Sequence, residues 1–250
     1  IPITPAEVAQ TALACKQAGA AMMHLHVRDE DQKHSLDVGR YREMLTEVRA
    51  SVGDDMLLQV TTEAVGMYSA DDQMAMVRGL MPEAVSIAIR EIAPDGFDVS
   101  ALKSFFAFMR EAKISPQFIL YASDDVRRFN QLVEKGILPG EKFPVLFVLG
   151  RYSAGQVSDP ADLLPFIATS SYISTWMVCA FGAFENACIL TGAGLGGHAR
   201  IGFENNHLLV DGSPADHNAE LIAQAREGAR HMARKIATGE QAKQIMHPVW

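Results

Sequence analysis

His24-Leu25-His26 sits in an apolar, strand-like run, Ala21 to Val27, followed by Arg28 and Asp29. Side chains alternate faces along a strand, so the two imidazoles point the same way, roughly 6.5–7 Å apart at the backbone. From there both can reach one ion, each nitrogen about 2.0–2.1 Å from a zinc. The alternative is a pair of core histidines hydrogen-bonded to backbone. A metal reading needs a third ligand from another strand end. Arg200-Ile201-Gly202-Phe203-Glu204-Asn205-Asn206 offers one, because Arg200, Gly202 and Glu204 share a parity and Arg200 and Glu204 could both face the same mouth. Two His and one Glu leave coordination open for water or substrate, as catalytic zinc sites do. Glu204 could equally be a surface carboxylate capping the last helix.

Other residues could surround such an ion. Thr61 and Thr62 end a strand and could donate hydroxyls to a substrate carboxylate; Glu63 after them is a general base or a solvated loop acid. Ser86, Ala88 and Arg90 share a parity on the next strand. Arg90 is then a cation at the mouth suited to a carboxylate or phosphate, or one half of a salt bridge to a loop acid. Cys179 has no histidine nearby in sequence to activate it and reads as structural. The glycines from Gly192 to Gly197 follow a helix and read as termination and close turns rather than a phosphate loop.

The elements that carry these residues alternate. Thr4-Pro5-Ala6-Glu7 is a capping box with proline at the first helical position, opening a helix that stops near Gly19. Strands are expected at 21–27, 56–62, 83–90, 117–121, 143–149, 172–178 and 198–203. Helices are expected at 37–52, 69–79, 99–112, 123–135, 159–169, after the sixth strand with an end around Gly192–Gly197, and at 214–238, with a short tail to Trp250. Strands alternating with helices give a parallel sheet, and near-continuous apolar strands mean both faces are covered. Eight helices with seven strands predict a single-domain (β/α)8 TIM barrel over 1–250 whose first strand is absent from the sequence, with a C-terminal helical tail at about 214–250. A doubly wound open sheet fits less well, since no Gly-rich phosphate loop follows an early strand. In a barrel the chemistry lies at the C-terminal ends of the strands, where His24 and His26 stand.

Composition narrows the class. A net charge of −8 argues against a nucleic-acid surface and leaves no basic patch for anionic membranes. No apolar run approaches the roughly 18 residues of a membrane span. Three cysteines (Cys15, Cys179 and Cys188) without knuckle spacing suit a reducing, cytoplasmic compartment. The sequence does not begin with Met, so residues ahead of Ile1 are expected.

Several stretches now carry a likeness. Ile3-Thr4-Pro5 with Glu7, Ala18-Gly19-Ala20-Ala21, His24-Leu25-His26-Val27-Arg28-Asp29, Thr61-Thr62, Trp176, Gly196-Gly197-His198, Arg200 to Asn206 and Asn218-Ala219-Glu220 fall in order. Together they resemble the β-keto acid cleavage enzymes, the group around 3-keto-5-aminohexanoate cleavage enzyme. The likeness is strongest at the two ends of the chain and weak between about 90 and 140. It implies a (β/α)8 barrel opening with a strand ahead of the first helix, and a divalent metal, normally zinc, on His24, His26 and Glu204. It also implies a β-keto acid reacting with acetyl-CoA to give acetoacetate and a new acyl-CoA, in a homo-oligomer, commonly a tetramer. Thr61 matches the family's hydroxyl donor, and Arg200 the arginine that steadies its catalytic acid–base group.

The departures fall around the metal rather than on it. Asn205 stands where the family carries the aspartate that serves as general base, and an amide cannot accept a proton at neutral pH. Ala88 replaces a strand threonine, Gln117 and Ile119 stand at an acidic strand, Glu63 and Ala64 replace substrate-side glycines, and Ala183 replaces a basic residue. Glu63 is the candidate substitute for the base. Two further readings stay open: a metal-dependent hydrolase or aldolase-type lyase without CoA, and a ligand-binding barrel that has lost turnover.

Overall fold

The first helix, α1 (Pro5–Ala18), starts at the expected capping box: Thr4 accepts from the Glu7 amide, and Glu7 accepts in return from the Thr4 amide. Gly19 ends it in the left-handed conformation. The chain, described here for residues 1–249 of a computed structural model, then alternates. The first strands are β1 (Met22–Leu25), β2 (Val27–Arg28) and β3 (His34–Ser35), before α2 (Val38–Val52). Next come β4 (Leu57–Thr61), α3 (Ala70–Leu80), β5 (Ala84–Ala88), α4 (Ile89–Ile92), α5 (Val99–Glu111), β6 (Ser115–Leu120) and α6 (Ser123–Glu134). The rest is β7 (Phe143–Leu149), α7 (Leu163–Thr169), β8 (Ile173–Ala180), α8 (Glu185–Gly194), β9 (His198–Ala199), α9 (Asn218–His231) and α10 (Gly239–Ile245). Trp250, the end of the expected tail, lies outside the described residues.

Seven strands pair in parallel in the order β1-β4-β5-β6-β7-β8-β9, curled as in a TIM barrel and open between β9 and β1. This is the expected barrel less its first strand. The core has two compartments. Outside the sheet, Phe105, Phe106, Phe118, Phe129 and Phe143 pack in tilted and edge-on pairs beneath α5 and α6. A second apolar cluster joins Leu57, Ala84, Ile119, Leu146 and Met177 of the strands to Ala242 and Met246 at the C-terminal end of the chain. The two compartments explain why β4, β5 and β7 are buried at every position.

Four boundaries differ from expectation, and each matters for the site. The strand expected over 83–90 ends at Ala88, and Arg90 lies on the one-turn helix α4, so strand parity does not orient it. The strand expected over 198–203 has only two residues; Arg200 to Asn206 form a turn closed by Asn205 and Asn206 amides on the Gly202 carbonyl. The polar loop after Arg28 is a small antiparallel hairpin, β2 on β3. The long helix expected over 214–238 is α9, preceded by a loop in which Leu208 bridges Pro214, and the tail adds a separate α10. At Gly239, which opens α10, a side chain would strike the Asp55 carbonyl, so glycine lets this helix press against the start of β4.

Candidate active site

β1 pairs with β4 so that His24 lies beside Gln59. His24 Nδ1 donates to Gln59 Oε1 at 2.8 Å, Gln59 Nε2 to Gln117 Oε1 at 3.1 Å, and Gln117 Nε2 to the Val145 carbonyl at 3.5 Å. This relay joins β1, β4, β6 and β7, reaching over β5 between Gln59 and Gln117, and fixes both amides and the His24 tautomer, leaving the Nε2 lone pair turned toward His26. His26 follows at the end of β1. Its Nε2 lies 3.0 Å from that of His24. Burial lowers the pKa of both imidazoles, and nearby Arg200 acts in the same direction. For His26, Glu204 and Glu63 offset part of the shift. Two neutral imidazoles converging by their Nε2 atoms are metal-ligand chemistry.

The opposite wall is the turn after β9. Glu204 Oε1 lies 3.8 Å from His26 Nε2 and accepts from Arg200 Nη2 at 3.0 Å. Burial would raise the Glu204 carboxyl, but Arg200, His26 and His24 outweigh it and bring its pKa down to about 2. The turn depends on distant groups. Gly202 N donates to Glu185 Oε1 at 3.3 Å, Phe203 N to Asn218 Oδ1 at 2.7 Å, and Asn206 Nδ2 to Glu185 Oε2 at 3.1 Å. Gly202 has φ +149°, and a Cβ there would come within 2.8 Å of Asn218 Oδ1, so the turn requires glycine. Arg200 keeps two buried donors, Nε and Nη1, with no acceptor among the described residues.

The third wall is the segment after β4. Glu63 turns its carboxylate to within 3.7 Å of His26 Nδ1 and 4.0 Å of Arg151. Its amide donates to Thr61 Oγ1 at 3.0 Å, and its carbonyl accepts from His34 Nε2 at 2.8 Å. These groups line a cavity of about 700 Å³, which also takes in the opening between β1 and β9 and reaches α9.

The remaining candidates stand behind this wall. Thr61 and Thr62 are buried: Thr61 Oγ1 accepts from the Glu63 amide and from Ser86 Oγ, and Thr62 Oγ1 donates to the Ser86 carbonyl. Ala64 is buried, its amide donating to Glu91. None of these four lines the cavity. Arg90 forms the salt bridge weighed as its alternative: it pairs with Asp125 through two nitrogens and lies between the Tyr121 and Tyr152 rings, 4.7 and 5.0 Å from their centroids. Asn205 Nδ2 donates to Cys179 Sγ at 2.8 Å, and burial pushes that thiol up to about 12, so Cys179 stays protonated.

The profile of the beta-keto acid cleavage enzyme family matches residues 1–247. The chain belongs to that family. The 3-keto-5-aminohexanoate cleavage enzyme of Fusobacterium nucleatum subsp. nucleatum is 28% identical over 252 residues, covering 98% of this chain and 90% of its own. The 3-oxoadipate:acetyl-CoA acetyltransferase of Cupriavidus necator is 26% identical over 258 residues, covering 98% and 87%. Among solved structures, the ternary complex of ObcA with C4-CoA adduct and oxalate superposes with a TM-score of 0.77 at 17% identity, over 98% of this chain and 67% of that one; it supports the barrel.

Membership places this chain among enzymes of β-keto acid cleavage and transfer, with relatives named for acetyl-CoA-dependent reactions. Among the described residues no helix is long and apolar enough to cross a membrane. Within this β-keto acid cleavage fold, sequence reasoning does not single out Gln59, His34, Arg151 or Glu185. Gln59, a polar residue inside an apolar strand, is a signal that could have been read. Glu185 and Arg151 had none, because their partners lie 17 or more residues away.

Proposed function

We propose that this protein exchanges acyl groups between an anionic β-keto acid and acetyl-CoA, giving acetoacetate and a new acyl-CoA, with a divalent metal, zinc, held by His24, His26 and Glu204. The observation that carries this reading is the convergence of two neutral imidazoles and an anionic carboxylate beside two buried donors of Arg200 that have no acceptor among the described residues. The donor set suits zinc: two neutral nitrogens and one carboxylate, with the His24 tautomer already set by Gln59. Bound there, the ion would act as a Lewis acid toward the keto oxygen and stabilise enolate charge.

The chain's own residues supply the rest. Arg200 orients Glu204 through Nη2 and offers Nε and Nη1 to the anionic substrate. Glu63 takes the proton from the carbon between the keto group and the carboxylate, the task that Asn205 cannot perform. That carbon then accepts the acetyl group from acetyl-CoA, and the released CoA thiolate attacks the original keto carbon. The carbon–carbon bond breaks, the new acyl-CoA forms, and acetoacetate recovers the proton. Thr61, with Ser86 behind it, holds the Glu63 backbone; Thr62 and Ala64 secure the same segment, and Arg90 ties α4 to α6 through Asp125. Asn205 ties the Glu204 turn to β8 through Cys179.

The test is a mass-spectrometric screen of β-keto acids with and without acetyl-CoA. The expected outcome is a new acyl-CoA with an equal amount of acetoacetate, only when CoA thioester is present. Cleavage without it would replace this reading with a hydrolase or lyase. Zinc and ligand binding with no product would replace it with a binding barrel. Turnover unchanged in Glu63→Gln would remove Glu63 as the base.

A further inference from the structure

His26 faces two carboxylates from its two nitrogens. Its Nε2 looks toward Glu204 at 3.8 Å, and its Nδ1 toward Glu63 at 3.7 Å. On the Nδ1 side stands a second imidazole, His34, whose ring centre is 5.5 Å from that of His26, near edge-on. One ligand atom each from His26, His34 and Glu63 lies within 4.8 Å of the others, as holds for His24, His26 and Glu204. All three residues are half-buried, so the cluster lies neither in the apolar core nor fully in solvent. We propose that His26, His34 and Glu63 form a second divalent-cation seat, sharing His26 with the first, and that filling it switches the enzyme off.

The donor chemistry is that of the first seat: two nitrogens and one carboxylate, with coordination left for water. The hairpin of β2 and β3 supplies His34, and the segment after β4 supplies Glu63. The His34–Glu63 backbone hydrogen bond already joins these two pieces of chain, and the Tyr68 hydroxyl donates to the His34 carbonyl from the other side. With both seats filled, each His26 nitrogen carries one ion and the ring's remaining proton passes to solvent. A cation in the second seat also takes the Glu63 carboxylate out of proton transfer. Inhibition follows from that competition, with no change of fold. The inhibitory part rests on the reading of Glu63 as the base; the seat itself does not.

The experiment titrates zinc into chelator-stripped protein, with bound metal counted by elemental analysis beside calorimetry. The wild-type chain is expected to take two equivalents. His34→Ala and His34→Gln, the latter keeping an N–H donor for the Glu63 carbonyl, each take one, and His24→Ala also takes one, held at the second seat. In turnover assays, excess zinc is expected to slow the wild-type enzyme at least tenfold relative to its rate at one equivalent, whereas each His34 variant keeps its own one-equivalent rate as zinc is raised. One equivalent in the wild type, lost in His24→Ala and kept in the His34 variants, would overturn the second seat and leave the first standing. One equivalent kept in His24→Ala and lost in the His34 variants would do the reverse. No binding by the wild type would remove both. Two equivalents with no zinc inhibition would keep the seat and overturn the switch.

Discussion

The two main walls of the site are built in different ways. On one side, His24 and His26 stand at the end of β1, and the ring of His24 is set by Gln59 on the neighbouring β4, itself held by Gln117 two strands further on. On the other, Arg200 and Glu204 ride a seven-residue turn whose backbone is tied down by Glu185 and Asn218, side chains of α8 and α9. The strand wall takes its backbone geometry from the β1–β4 ladder, which runs to Leu25, next to His26, and needs no particular side chain; only the His24 ring asks for Gln59. The turn wall takes its geometry from a few polar contacts. A ligand carried by a strand is robust, whereas a ligand carried by a turn depends on what anchors the turn.

The largest expected effect breaks the strand wall directly. His26→Ala should weaken zinc binding by about 10²–10⁴-fold, since sharing ~10–16 kcal/mol among three protein ligands puts each at about 3–5 kcal/mol. Unchanged zinc affinity by competition with a chelator would show that the imidazoles are not the metal side.

The next tests the anchor of the turn wall. Burial raises the Glu185 carboxyl to about 7, against partial relief from Asn206 and the Gly202 amide. Below about pH 4.5 the carboxyl is protonated in both folded and unfolded chains. Above it the unfolded chain ionises while the folded one keeps its proton, so stability falls as pH rises to about 7 and then levels. A shift of this size corresponds to about 3 kcal/mol. Urea melts at pH 5 and pH 8 should show this loss in the wild type and a smaller one in Glu185→Gln. An identical pH dependence in the two would mean that Glu185 is ionised in the folded state.

A smaller effect sharpens the strand side. Gln59→Leu leaves His24 in place but removes its tautomer partner, and such second-layer losses cost about 10–100-fold in metal affinity. No loss would mean that the strand ladder alone orients the imidazole.

The smallest tests a residue behind the wall. Thr62→Val deletes the hydroxyl bonded to the Ser86 carbonyl, for about 1 kcal/mol of stability. With no hydroxyl in the cavity to lose, turnover should change less than about twofold. A large drop in turnover at unchanged stability would return Thr62 to the substrate-contacting role expected from sequence.

Much of the fold was legible in sequence because its signals are local. The capping box at Thr4, the alternation of apolar strands with helices, and Gly19 as a helix stop each act over a few residues. The parity of His24 and His26 was legible for the same reason. Parity failed at Arg90 and at Arg200 to Glu204, because both segments leave the sheet earlier than their apolar neighbours suggest. Arg200 and Glu204 still meet, but as partners four apart in a turn.

By itself the sequence determined the alternation of elements, the barrel and the pairing of His24 with His26 at a strand end, since hydrophobic period and side-chain parity are properties of short stretches. Tertiary structure alone decided which groups share a space. It set Gln59 behind His24, Glu185 beneath the Glu204 turn and His34 beside Glu63, pairs separated by 35, 17 and 29 residues, counting Glu185 to Gly202 for the turn. Contacts at such separations follow from strand order and the curl of the sheet, which no local pattern encodes.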